Sequence, residues 1–405
     1  MHNDQEGVIS KILAEEIKDS RGNPTLKVTV WVGGKAGSFS VPSGVSTGTH
    51  EAHALPVEEA IRAVNELIAP MLAGKNVFDQ KGIDALVLQL DGTKNKKKLG
   101  GNAMIGVSVA CAKAAAQING VEVFEYLRTL AEIKPSRVVP QLYMNLINGG
   151  KHVPEGGPAF QEYMIVPDTE NPEEAIEIGV SVQNTLKEII MKKLGKDSII
   201  FGDEGGFAAR TGDTKAPLYF LHEALKQNSL EGKVRLALDV AATSFYSDRG
   251  YAVGDKKISK EELLEIYQAL QKEFGLLSVE DPFMENDFES FRILTQAGKT
   301  LVVGDDLTVT NIKLLRQAID QKSISAIIIK PNQIGTLTET LATMQLAREN
   351  GIELIVSHRS GETDDDFIAD LAFAFGCFGL KAGAPSKPER MVKYNRLAKI
   401  VNLSD

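Results

Sequence analysis

Along the second half of the chain, short apolar runs alternate with longer amphipathic stretches. The runs are VRLALDV, LLSVEDP, TLVVGDD, AIIIKPN, ELIVSHR and FGLKAG. They have strand length, and the run of three isoleucines in AIIIKPN reads as a strand buried on both faces. Between them lie helical patterns such as SKEELLEIYQALQKEF and TLTETLATMQLARENG. Strand and helix in alternation with short connections predict a parallel sheet. Just upstream, QLYMNLI and FQEYMIVP read as two more strands close together, followed by the helical stretch NPEEAIEIGVSVQNTLKEIIMKKL. Six units plus these two strands make eight, enough to close a barrel.

The beginning of the chain reads differently. TLKVTVWVGG alternates between turn-rich loops, as antiparallel strands do. PVEEAIRAVNELIAPML is an amphipathic helix, and NAMIGVSVACAKAAAQ is apolar almost all round, so it predicts a buried helix. The expected class is α/β. A smaller α+β N-terminal domain covers 1–134, and a C-terminal (β/α)8-type barrel with two leading antiparallel strands covers 135–405.

Composition narrows the function without naming it. Of 405 residues, 43% are hydrophobic and 24% charged, as in ordinary globular chains. A net charge of −9 argues against nucleic acid as a partner. The one basic run, KNKKK at 94–98, reads as a solvated loop. Two cysteines, Cys111 and Cys377, are too few for a disulfide scaffold or a cysteine zinc site. No run reaches the roughly 18 apolar residues that span a membrane. A polar N-terminus without a signal region points to a cytoplasmic location.

The chemistry sits where the apolar runs stop. They end at Asp239, Glu280, Asp305, Lys330, His358 and Lys381, spaced 23 to 41 residues apart. That is about the length of one strand, loop and helix. Strand ends of a parallel barrel share one rim, and barrel enzymes keep their active sites there. One charge at a strand end is commonly just solvated. Six in phase predict a site. Three carboxylates at one point repel one another unless a cation neutralises them. An oxygen-only set without cysteine suits Mg2+ better than zinc. A lysine beside a cation and a second lysine loses proton affinity, so a lysine of this rim is expected to have a lowered pKa and to act as a base. Metal plus lysine implies proton abstraction next to a carboxylate.

Further motifs have both a bland and a chemical reading. GDEGGF (202–207) is either a tight turn or a device presenting Glu204. SHRSGET (357–363) places Arg359 and Ser360 after His358, a fork and a hydroxyl suited to phosphate; a surface ion pair is the alternative for Arg359. SGVSTGTHEA (43–52) is a flexible loop, or a lid that brings Ser46 to a second metal. His152 in NGGKH is either packed or functional. Gln161 and Glu162 alternate along a strand, so only one of them is expected to face inward. Glu162 beside Glu204 would raise one carboxyl pKa and leave a neutral acid for a departing hydroxyl.

Together these motifs resemble the enolase family. The likeness runs from EEIKDSRGNPTLKVTV through SGVSTG, NAMIGVSVA, MNLINGGKH, FQEYMIVP, GDEGGF, LALDVA, SVEDP, VGDDLTVTN, KPNQIGTLTET and VSHRSGET to KAGAPSKPERMVKYN, nearly the whole chain. It implies reversible dehydration of 2-phosphoglycerate to phosphoenolpyruvate with two Mg2+ per site. Asp239, Glu280 and Asp305 match ligands of the first ion, and Ser46 a ligand of the second. Lys330 matches the base at C2. Glu204, with Glu162 beside it, matches the acid at the C3 hydroxyl. Lys381 matches the lysine at the substrate carboxylate. Arg359 and Ser360 match the phosphate binders, while His152, Gln161 and His358 match residues lining the pocket. A homodimer or octamer is implied as well. Two alternatives share the scaffold. Another superfamily enzyme, such as a racemase or lactonising enzyme, would carry a Lys-x-Lys pair where this chain has FQEYM. A non-catalytic scaffold would lack a metal ligand or a lysine, and none is missing. The chain departs from the family pattern in shortened segments after Ala52 and Phe207, which bear on subunit contacts. Pro331 and Ala382 stand beside the two lysines and bear on rate.

Overall fold

The computed structural model describes residues 7–44, 50–150, 153 and 157–404. The alternating start of the chain forms three antiparallel strands, β1 (Ile9–Lys18), β2 (Pro24–Val32) and β3 (Lys35–Ser40), in that order. Leu26, Val28, Val30 and Val32 of β2 are fully buried. The sheet packs on the helix Gly101–Asn119, which is buried along most of its length, as its near-continuous apolarity requires.

The expected eight strands close the barrel. They are β4 (Gln141–Asn148), β5 (Glu162–Pro167), β6 (Val234–Asp239), β7 (Ser278–Glu280), β8 (Leu301–Gly304), β9 (Ala326–Ile329), β10 (Glu353–Ser357) and β11 (Gly379–Lys381). They follow one another around the ring, and β11 pairs with β4 to close it. β5 runs antiparallel to both neighbours; every other pair in the ring is parallel. A two-residue strand, Phe207–Ala208, pairs beside β4.

Two-residue periodicity sets which side chains fill the barrel. Met164, Ala237, Val303, Ala326, Ile328 and Ile355 belong to an inner cluster, whereas Ile327 and Ile329 join the outer layer under the helices. That split explains three consecutive isoleucines: both faces of β9 are buried, each such side chain contributing about 1.5–3 kcal/mol. The same parity carried two residues on, from Ala237, Val303 and Ile328, aims Asp239, Asp305 and Lys330 inward above this apolar layer.

The outer helices begin where their sequences say. Asn171 caps Pro172–Leu194 by accepting from the Glu173 and Glu174 N–H groups. Ser259 and Glu262 form a capping box at Lys260–Phe274. The longest spacing on the rim, between Asp239 and Glu280, accommodates an extra antiparallel sheet of Tyr246–Ser247, Gly250–Val253 and Lys256–Ile258. The basic loop at 94–98 is not simply solvated: Lys96 is buried and donates to Glu339 Oε1 at 2.8 Å on the barrel side. Among the described residues, no helix is long and apolar enough to cross a membrane.

Candidate active site

A cavity of about 130 Å³ opens at the rim where the parallel strands end. Asp239, Asp305, Lys330, His358 and Lys381 line it, together with Gln161, Glu162, Glu204, Arg359 and Ser360. Glu280 is buried and meets the group through Lys381. Ser46 and His152 lie outside the described residues.

Reversal of β5 brings Glu162 to this rim. Its first residue pairs with the last residue of β6, so Glu162 stands level with Asp239. Gln161 precedes the strand and so escapes the pleat's alternation. It therefore turns inward as well, donating to Asp239 Oδ2 at 3.3 Å. The expectation that only one of the two residues faces the site is corrected on that ground.

Lys381 is the electrostatic hub. Its ammonium donates to Glu280 Oε2 at 2.8 Å and Asp239 Oδ2 at 2.9 Å, and lies 3.2 Å from Glu162 Oε2. Burial disfavours its charge, but Asp239, Glu162 and Glu280 outweigh burial and hold its pKa well above the ordinary lysine value. Glu162 and Glu280 are both pushed well up, the first by burial and then Glu204, the second by burial and then Asp239.

Lys330 follows the same logic and corrects a second expectation. Its ammonium bonds Asp305 Oδ2. Burial works against that charge, yet Asp305 prevails and the Lys330 pKa is raised, not lowered. The lowering argued from the sequence requires the neighbouring carboxylates to be neutralised. Asp305 stays below its usual value: burial opposes this and Lys330 overcomes it. Lys330 is extended (φ −127°, ψ 98°), and Pro331 opens the short helix Pro331–Ile334, where a missing N–H costs nothing.

His358 is a neutral donor in this setting. Arg390, fully buried on the last helix, points NH1 at His358 Nδ1. A guanidinium only donates, so Nδ1 accepts and the ring proton sits on Nε2. Burial then drives the His358 pKa well down. Its Nε2 lies 3.8 Å from Glu204 Oε1, while Asn145 Nδ2 donates to Glu204 Oε2 at 2.8 Å. Glu204 is buried and Asp203 beside it is exposed, so the GDEGGF turn presents one acid and leaves the other in water. Gly205 supplies the left-handed φ of +86° that this turn needs.

Arg359 is buried rather than part of a surface pair. Its NH2 contacts both Glu51 oxygens, at 3.0 and 3.2 Å, and its NH1 donates to Asn332 Oδ1 at 3.1 Å. Gln333 joins this group to the acids, donating to Asp305 Oδ1 at 3.0 Å and Glu51 Oε1 at 3.4 Å. Asp281 accepts the Asp305 and Asp306 N–H groups at 3.0 and 2.7 Å and fixes that turn. Glu51, Gln333, Asn145, Asp281 and Arg390 were not singled out from the sequence; their partners are distant along the chain. Non-glycine residues with positive φ cluster here too: Ala241, Asp281, Val309 and Thr310 all follow barrel strands on this rim.

The donor atoms of the rim bear on metal ligation. Among the described residues, Asp239 Oδ1 and Glu280 Oε1 are buried without a partner, the condition in which a cation ligand would be left. Two other groups, Asp281–Asp305–Asp306 and Glu162–Glu204–His358, hold ligand atoms within 4.8 Å of one another. In the latter, His358 Nε2 carries a hydrogen and has no lone pair to offer. Asp281 in the former is taken up by backbone donors. An all-oxygen set around Asp239, Glu280 and Asp305 therefore fits a hard divalent cation.

Comparison with known proteins agrees with the geometry. The model of the enolase N-terminal domain matches residues 9–127, and that of the enolase C-terminal TIM barrel domain matches 136–403. An enolase of Methanocaldococcus jannaschii is 44% identical over 98% of this chain and 96% of its own. Enolase B of Dictyostelium discoideum is 43% identical over 97% and 94%, and an enolase of Thermococcus gammatolerans 42% over 97% and 94%.

Proposed function

From the premise that the chain belongs to the enolase family, we propose that it is a phosphopyruvate hydratase, reversibly dehydrating 2-phosphoglycerate to phosphoenolpyruvate. The observation that carries this reading is the charge of the cavity. Among the described residues, eight lining side chains are acids and three are Lys or Arg. A pocket so acidic accepts a phosphorylated carboxylate only with added positive charge.

The site residues take these roles. Lys330, once neutral, accepts the C2 proton on Nζ. The electron pair left at C2 forms the C2–C3 double bond as the C3–O bond breaks. Glu204, assisted by Glu162, gives its proton to the departing hydroxyl, which leaves as water. Lys381 and Gln161 orient the substrate carboxylate, and Arg359 with Ser360 holds the phosphate. His358 lines the pocket as an N–H donor, and the family resemblance assigns His152 to the same site. Asp239, Glu280 and Asp305 would hold a divalent cation, and Ser46 would take part in a second site. When bound, such cations neutralise the charge that builds on the substrate carboxylate as the proton leaves. Mg2+ is the proposed ion, supported by the all-oxygen donors, and two per site is what the family resemblance implies. A homodimer or octamer and a cytoplasmic location belong to the same reading, and light scattering decides the assembly.

The direct test follows the ultraviolet absorbance of the enol phosphate on adding 2-phosphoglycerate, with and without Mg2+. Folded protein saturated with Mg2+ should give a signal that a chelator abolishes; no signal would refute the activity.

A further inference from the structure

The strand β4 carries two asparagines, Asn145 and Asn148, whose spacing would set them on opposite faces of a regular strand. A register shift between Asn145 and Ile147 changes that. Asn145 is paired with Met164, and Asn148 with Glu162. Met164 belongs to the inner cluster and Glu162 lines the cavity, and cross-strand partners share a face. The bulge therefore turns both amides into the barrel, where each is fully buried.

Buried amides are ordinarily satisfied on both atoms. Among the described residues, Asn145 Oδ1 has no partner here, nor has either amide atom of Asn148. Asn145 Nδ2 has one: it donates to Glu204 Oε2 at 2.8 Å. An apolar residue would meet the packing needs of such a position without orphaned atoms, so the amide answers to Glu204.

We propose that Asn145 is a positioning residue that acts through Glu204, a role resting on the hydratase reading above. The carbonyl oxygen of a protonated carboxyl is a better acceptor than its hydroxyl oxygen, so an amide N–H held at 2.8 Å on Oε2 places the carboxyl proton on Oε1, which His358 Nε2 faces at 3.8 Å, beyond hydrogen-bond reach. The same orientation serves the ionised and the protonated carboxyl, because Oε2 accepts in both. Asn145 thus fixes which oxygen gives the proton to the hydroxyl leaving C3 and which receives it in the reverse direction. It does not contact Lys330, so removal of the C2 proton should proceed without it.

That separation supplies the test. With saturating Mg2+, Asn145→Leu and Asn145→Ala are compared with the unmodified protein in two assays. One is phosphoenolpyruvate formation; the other is loss of the C2–H signal of 2-phosphoglycerate in deuterated water by proton NMR. Dehydration kcat should fall about 10- to 100-fold with KM and C2 exchange within about threefold, raising the exchange-to-dehydration ratio. Should the leucine variant not fold by circular dichroism, the smaller alanine variant carries the comparison. Dehydration within about twofold of the unmodified rate would overturn the role. So would exchange and dehydration falling in step, which is what a merely structural residue gives. If the unmodified protein neither exchanges nor dehydrates, the hydratase reading itself fails, a result separate from either of these.

Discussion

Replacing Lys381 by methionine removes one ammonium from among three buried carboxylates while nearly conserving shape. Contacts of 2.8 and 2.9 Å to Glu280 and Asp239 are each worth roughly 6 kcal/mol by Coulomb's law at an effective dielectric near 20. Desolvation of the ammonium and repulsion among the acids cancel much of this, and truncating one partner of a buried ion pair costs about 3–5 kcal/mol. At roughly 2 °C per kcal/mol for a protein of this size, Lys381→Met should melt roughly 6–10 °C lower in a chelating buffer. Divalent cation should restore part of the loss, about 2.7 kcal/mol at a hundredfold excess over its Kd. The deficit should also depend on pH. Burial, then Glu204, raises the Glu162 pKa above the ordinary 4.5, and burial, then Asp239, does so for Glu280. A carboxyl with a raised folded pKa penalises folding above that pKa, and the penalty fades as pH falls through it toward 4.5. Acidification should therefore narrow the gap between variant and unmodified protein. Thermal unfolding followed by circular dichroism reads all three effects. A variant melting within 2 °C of the original in chelator would refute the view that Lys381 neutralises these acids.

Lys330→Ala should abolish exchange of the C2 proton with deuterated solvent by NMR; exchange at the native rate would exclude Lys330 as the base. Arg359→Lys replaces a fork held by Glu51 and Asn332 with a point charge, so KM for 2-phosphoglycerate should rise about tenfold or more in steady-state assays, with a smaller change in kcat. Gly206→Ala would place a Cβ 2.6 Å from Asn148 Oδ1 and 3.0 Å from the Leu146 carbonyl carbon; urea unfolding should show a loss of about 1–3 kcal/mol.

Much of the barrel was legible because strand parity and the βα period are local properties. The three isoleucines of β9 announced a strand buried on both sides, and the residues ending the runs marked the rim. What escaped depends on partners far apart in sequence. Gln161 faces the site because the strand begins one residue later, a boundary no periodicity fixes. Glu51 reaches Arg359 and Gln333 from the N-terminal part of the chain, and Arg390 reaches His358 from the last helix. Lys96 reads as one charge in a basic run until Glu339 is folded against it. The proton affinity of Lys330 is not legible for another reason: it depends on whether the acids around it carry their full charge, which residue types alone do not determine.

The order of strands constrains the reaction's geometry. In a ring of eight, β5 and β9 lie four places apart, so Glu162 and Lys330 descend on the cavity from opposite walls. Glu204 stands on the Glu162 side, its loop flanked by the short strand paired with β4 and its carboxylate bonded to Asn145. With Lys330 as base and Glu204 as acid, the C2 proton and the C3 hydroxyl are drawn to opposite faces of a substrate held between them. Reversal of β5 is what allows this. Were the strand parallel to its neighbours, Pro167 would stand at the rim and Glu162 at the closed end of the barrel. The antiparallel pair at the start of the ring thus supplies an acidic wall facing the lysine, and in the proposed reaction the departure from a uniform (β/α) repeat would set the two halves of the elimination apart.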